Sequence, residues 1–296
     1  MRLVTFELDG RQHFGIANDE AVTSLSSLAL AHGADASFFT NIQRFLLEGE
    51  RAFDAARHLE ERANRDWNEW LPLSKVHLSC PVPRPSKIVA IGLNYRDHAE
   101  EAKLTLPTEP LLFAKFPSSI SGPFDPIVIP RVNPDIDYEA ELAVIIGSRA
   151  KGVKAGNAFD CVAGYMVLND VSARKWQFGD KQWTRGKSCD TFCPAGPWLT
   201  TRDEVADPHR LRISAKINGQ TVQDSNTNNL IFGVPQLIEH ITESITLEAG
   251  DIIATGTPVG VGVFRNPPLF LKDRDVVEVS IEGLGSIRNL VTVEPA

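Results

Sequence analysis

A chain of 296 residues, 43% hydrophobic and 23% charged, has the proportions of a globular protein with a sizeable core, which excludes fibrous, disordered and low-complexity classes. Thirty Lys and Arg against 38 Asp and Glu leave a formal charge of −8, and a pI near 5.4 lacks the basic stripe that a nucleic-acid backbone requires. No apolar run approaches the roughly 18 residues of a membrane helix, and Glu7 and Asp9 interrupt any secretory apolar region near the start, so a cytoplasmic protein is expected.

In chain order, Val4, Phe6 and Leu8 alternate up to a turn at Asp9-Gly10, and Gln12, Phe14 and Ile16 alternate beyond it, the signature of a β-hairpin. Over residues 41–63, Ile42, Phe45, Leu46, Phe53, Ala56 and Leu59 recur at helical spacing, which predicts one or two surface helices. Pro72, Pro81, Pro83 and Pro85 then forbid a helix or a central strand. A domain boundary is placed there, between a small N-terminal α/β domain over residues 1–80 and a main domain over residues 81–296.

The main domain reads as β-rich, from short β-branched runs at 87–92, 127–130, 142–147, 162–168, 211–217, 251–255 and 275–281. No segment repeats at a period that would suggest a solenoid or propeller. Cys80, Cys161, Cys189 and Cys193 form no CxxC pair and are expected as reduced thiols.

If 135–141 is a strand, Asp135, Asp137, Glu139 and Glu141 share one side. A solvated edge would account for such a run. The continuation at 142–146 is apolar on both faces, however, which puts the acids at the mouth of a core, where like charges need a cation or protonation. The strand predicted at 162–168 ends at Asn169-Asp170, so a third carboxylate can converge; a helix cap or turn is the alternative role for Asp170. All-oxygen ligation suits Mg²⁺ or Mn²⁺ rather than zinc.

His98 and Glu101 are three residues apart in a helix-like stretch, a spacing that lets the carboxylate orient the imidazole as a base; a plain surface pair is the alternative. Lys187, within Arg185-Gly186-Lys187-Ser188, and the run Thr255-Gly256-Thr257-Pro258-Val259-Gly260-Val261-Gly262 complete the candidates. The glycine-rich run matches neither a phosphate loop nor GxGxxG. It reads as a loop whose N–H groups and Thr257 hydroxyl approach a small anion, or as a tight turn.

Taken in order, Gly92-Leu93-Asn94-Tyr95 with His98, Asp137-Tyr138-Glu139-Ala140-Glu141-Leu142, Asn169-Asp170 with Ser172-Ala173-Arg174, Gly186-Lys187-Ser188 with Asp190, and the Thr255 to Gly262 run resemble the fumarylacetoacetate hydrolase family. The resemblance spans about residues 87–296. It implies an α+β, β-rich fold, a mixed β-roll around a central metal site, in a homodimer. It implies Glu139, Glu141 and Asp170 as ligands of Mg²⁺ (or Mn²⁺), and His98 with Glu101 as the water-activating dyad of acylpyruvate hydrolases, carried on a lid. Arg174, Gln177, Lys187 and Thr257 fall on positions that contact a 2-oxo acid or its metal.

The expected activity is therefore metal-dependent hydrolysis of a C–C bond in a 2,4-dioxo acid, giving a 2-oxo acid and a carboxylic acid, with Lys187 stabilising developing negative charge. The alternatives are oxaloacetate decarboxylation, isomerisation of 2-hydroxyhepta-2,4-diene-1,7-dioate, and a silent ligand-binding protein stabilised by metal.

Overall fold

The computed structural model describes residues 1–132 and 135–295, with Trp67 through its backbone alone. All seven predicted β-branched runs become strands, with ends within two residues of those expected. The opening hairpin is also found: Arg2–Leu8 pairs antiparallel with Arg11–Ala17, and Leu8 faces Arg11 across a two-residue turn. Asp9 and Gly10 take φ values of 50° and 72°, as the tight mirror-image turn between twisted strands requires.

Arg2–Leu8 also pairs with Cys193–Thr201. The hairpin thereby extends a mixed sheet of twelve strands among the described residues, and the boundary expected near residue 80 falls within one continuous sheet. At the centre of that sheet, Cys193–Thr201, Val162–Asn169, Ala140–Ile146, Ile252–Ala254 and Ile88–Gly92 lie side by side.

The central strand shows why this sheet carries a core on each face. In Ala140–Ile146, the residues Ala140, Leu142, Val144 and Ile146 enter one apolar cluster, and Ala143 and Ile145 enter another. This is the two-residue period of a strand buried on both sides. Against one face pack the helices Ile42–Glu48 and Glu50–Ala63, broken at Gly49, through Phe45, Leu46, Ala56 and Leu59. Against the other packs a five-stranded sheet containing Arg212–Ile217, Val276–Ile281 and Gly285–Val293, through Ile213, Ala215, Val277, Val279 and Ile287. The four cysteines are unpaired, and no helix among the described residues is long and apolar enough to cross a membrane.

Candidate functional site

Strand register brings the three acids together. Ala140 stands opposite Asn169, so Glu139 and Glu141 on one strand flank the end of its neighbour, just before Asp170. Backbone and side chain lock the junction: the Asp170 N–H donates to the Glu139 carbonyl at 2.9 Å, and the Glu139 N–H donates to Asn169 Oδ1 at 3.0 Å. Each of the three buried carboxylates offers an oxygen within 4.8 Å of the others. Donors that are all oxygen and this closely gathered fit a hard divalent cation such as Mg²⁺ or Mn²⁺.

Three buried cations share this floor. Lys187 Nζ donates to Glu139 Oε2 at 2.6 Å and to Asp170 Oδ2 at 2.7 Å, and Arg174 Nη2 lies 2.7 Å from Glu139 Oε1. Lys115 Nζ lies 2.7 Å from Asp170 Oδ1 and also donates to the Lys187 carbonyl. Burial alone would raise the Glu139 carboxyl, but the Lys187 and Arg174 charges outweigh it and hold it at about 2. Glu141 goes the other way. It is buried, faces the Asp170 and Glu139 charges, and accepts one N–H from Gly256 at 2.8 Å, so its carboxyl is pushed well above the usual range.

Glu141 is thus the acid that a bound cation would relieve most. At a hundredfold excess over its Kd, Mg²⁺ is expected to stabilise the fold by about 2.7 kcal/mol, read as a rise in Tm that a chelator reverses. Glu141→Gln should abolish that rise. An equal shift in the variant would remove Glu141 from the ligand set.

A cavity of about 220 Å³ opens over this floor. His98, Glu139, Glu141, Arg174, Gln177, Lys187 and Thr257 all line it, so seven of the nine residues singled out from the sequence meet in one place. The other two stand directly behind: Asp170 in the acidic cluster and Glu101 beside His98. The helix Arg96–Glu101 forms as expected and sets His98 Nδ1 3.4 Å from Glu101 Oε2. Gln177 accepts from Arg174 Nη1 at 2.8 Å, and Thr257 accepts from Gln223 Nε2 at 2.9 Å.

One sequence reading needs correction. The acidic run is not one strand: Ile136–Asp137 pairs with Ser172–Ala173, the chain breaks at Tyr138-Glu139, and a second strand begins at Ala140. Asp137 therefore leaves the cluster and accepts from Arg174 Nε at 2.8 Å, with Arg174 Nη2 at 2.7 Å.

In the glycine-rich loop, three N–H groups go to the protein's own acids, while Thr257 lines the cavity. Gly256 donates to Glu141, Gly260 to both Glu101 oxygens at 3.2 and 3.1 Å, and Gly262 to Asp137 Oδ1 at 2.7 Å. Gly260 can do so because its φ of 104° and the approach of the Val222 carbonyl exclude a side chain. Sequence reasoning also missed Lys115. It sits on Leu111–Lys115 with no local motif around it, and only the pairing of that strand with Ile88–Gly92 carries its ammonium to Asp170.

Comparison with known proteins agrees with this arrangement. Residues 87–292 match the Fumarylacetoacetate (FAA) hydrolase C-terminal family. Oxaloacetate tautomerase FAHD2A, mitochondrial, of Homo sapiens is 45% identical over 298 residues, covering 98% of this chain and 91% of the relative. Among solved structures, fumarylacetoacetate hydrolase from Exiguobacterium antarcticum superposes with a TM-score of 0.85 at 35% identity, over 99% of this chain and all of the other. Maleylpyruvate hydrolase from Sphingobium sp. SYK-6, in complex with manganese(II) ion and pyruvate, superposes with a TM-score of 0.79 at 32% identity over the whole of both chains. With an α+β, β-rich fold, the ordered motifs and the buried acidic floor all in agreement, the chain belongs to the fumarylacetoacetate hydrolase family.

Proposed function

We propose that this chain is an enzyme of 2-oxo acid chemistry that moves a proton at C3, with keto–enol exchange of oxaloacetate as its reaction. The observation that carries this reading is the charge arrangement of the floor: Arg174 and Lys187 both pair with Glu139 in a single cavity that His98 also lines. That floor suits a small anion with a carboxylate and an adjacent carbonyl. Glu139, Glu141 and Asp170 would hold a divalent ion, which supplies Lewis-acid stabilisation of negative charge at the C2 oxygen.

The chain's own groups perform the remaining work. Arg174 and Lys187 draw the substrate carboxylates to the floor and stabilise charge as the C3–H bond breaks. His98 takes the C3 proton, with its ring turned by Glu101, whose own oxygens are pinned by Gly260. Keto–enol exchange asks for one positioned base beside groups that stabilise negative charge, here Arg174 and Lys187. The 45% identity to an oxaloacetate tautomerase across nearly the whole chain supports the same choice.

Hydrolytic cleavage of an acylpyruvate is the second reading, favoured by the same His98 and Glu101 pair and by the likeness to a maleylpyruvate hydrolase holding pyruvate. One experiment separates the two. The protein with Mg²⁺ is given enol-rich oxaloacetate, followed by loss of the enol absorbance, and in parallel acetylpyruvate and maleylpyruvate, followed by NMR for released pyruvate. Metal-dependent acceleration of the enol decay without pyruvate release is expected. Pyruvate release with no effect on the enol would replace the first reading with the second.

A further inference from the structure

We infer that the same cavity accepts 2-oxo acids bearing an aryl group at C3, and that the protein enolises arylpyruvates as well as a four-carbon diacid. This rests on the proton-transfer reading above and concerns the apolar part of the cavity lining, to which that reading gives no role.

The two cations of the lining, Arg174 and Lys187, both pair with Glu139. The rest of the lining includes an apolar, largely aromatic wall of Leu104, Leu111, Phe113, Phe178, Trp183 and Phe264. Four of these remain well exposed, Phe178 at 56%, Leu104 at 54%, Leu111 at 49% and Phe264 at 42%, so apolar area stands open at the mouth of a polar site. A distal carboxylate seated against these side chains would lie on apolar surface, whereas a ring would cover that area.

The wall is built into the fold. Trp183 meets Phe113 edge-on, with ring centroids 5.3 Å apart, and its ring lies against the backbone of Gly92. A Cβ at position 92 would stand 2.6 Å from the indole and 3.1 Å from Leu111 Cδ2. Glycine at this point of the strand Ile88–Gly92 is what lets the indole sit flush with the wall. Phe113 also links the wall to the cations, since Lys187 Nζ lies 5.2 Å from its ring centroid.

Size agrees. An apolar cavity of roughly 150 Å³ accommodates benzene, and the cavity here is about 220 Å³, leaving room for a three-carbon head on the floor. Oxaloacetate fits as well, with both carboxylates near the cations and the apolar wall idle. For the aryl substrate the atoms balance without any co-reactant. The C3–H bond breaks and its proton passes to His98; its electron pair becomes the C2–C3 double bond as the C2=O π pair moves to oxygen, which takes up a proton from water while His98 returns its own to solvent.

The test uses the full chain with Mg²⁺ and follows enol–keto exchange of phenylpyruvate and of oxaloacetate. Acceleration of both is expected. Leu111→Asp places a charge in the wall, and Gly92→Ala pushes the indole into the cavity. Each should lower the ratio of kcat/KM for phenylpyruvate over that for oxaloacetate by about tenfold or more, the scale of losing a buried ring. Exchange of oxaloacetate with phenylpyruvate neither turned over nor competing would overturn the inference and leave the proposed function standing.

If neither substrate turns over, the proposed function falls and the wall is read by affinity. Phenylpyruvate should then bind the Mg²⁺-loaded protein about tenfold or more tighter than pyruvate, an advantage that Leu111→Asp removes. Equal affinities would overturn the inference on its own ground.

Discussion

Replacing Asp137 with alanine is expected to lower Tm by roughly 10 °C while leaving the three acids of the floor in place. Asp137 is fully buried, and its carboxylate gathers several otherwise separate groups. Oδ1 accepts the Tyr138 N–H at 2.8 Å and the Gly262 N–H at 2.7 Å; Oδ2 accepts the Val263 N–H at 3.0 Å and Arg174 Nε at 2.8 Å, with Arg174 Nη2 2.7 Å away. Removing one partner of a buried, hydrogen-bonded ion pair costs about 3–5 kcal/mol, because the remaining charge stays buried. Here the remaining charge is Arg174, which keeps Glu139 but loses the brace that aims it.

Activity should therefore fall with stability, by about 10- to 100-fold, as is usual when an outer partner of a ligand set is lost. Should Asp137→Ala fail to fold, Asp137→Asn keeps the shape and part of the acceptor capacity, and roughly half the loss in Tm is expected. A wild-type Tm in both variants would show that the pair contributes nothing net, and would remove Asp137 as the anchor of the loop.

Asp137 also shows where reading the sequence stops. The β-branched runs were legible because burial on both faces leaves a local mark, an uninterrupted apolar string such as Leu142 to Ile146 ending in polar residues. Glu139, Glu141 and Asp170 were legible for a related reason, since carboxylates that continue buried strands lie where a core opens. That His98 and Glu101 share a helix face was legible from their spacing, which by itself did not separate a dyad from a surface pair.

What escaped depends on contacts between distant segments. Asp137 looks like one more acid of an alternating run, and only Arg174, 37 residues further on, draws it out of the cluster. Lys115 reaches Asp170 across 55 positions of sequence, with no periodicity to announce it. The glycine-rich loop carries the composition of a ligand-binding loop, yet its N–H groups face Glu101, Glu141 and Asp137. At Gly256, Gly260 and Gly262 it positions acids, which composition alone does not announce.

The charge balance of the floor adds a physical constraint on what the cavity can hold. Asp137, Glu139, Glu141 and Asp170 oppose Lys115, Arg174 and Lys187, four acids against three cations, all buried. Every one of these acids except Glu141 has a cation within 2.8 Å. The floor is nearly neutral before anything binds, so a divalent ion at Glu139, Glu141 and Asp170 makes it net positive and ready for an anionic substrate.

His98→Ala should lower kcat by about 10² to 10⁴, the range for a removed general base, and leave the Mg²⁺-induced rise in Tm intact. The geometry separates these two outcomes. His98 lines the cavity and packs against Phe264 with ring centroids 5.7 Å apart, whereas the ligand cluster consists of carboxylates from other segments. Glu101 acts through His98 and not on the substrate: it lies behind the ring, 3.4 Å from Nδ1, with its oxygens fixed by Gly260. Glu101→Gln should then cost less than His98→Ala, about tenfold, and the double variant should be no slower than His98→Ala alone, because two residues acting as a unit lose one function between them. A double variant whose loss is the product of the single losses would show that Glu101 contributes separately. Unchanged turnover in His98→Ala would mean that the proton at C3 is taken by another group.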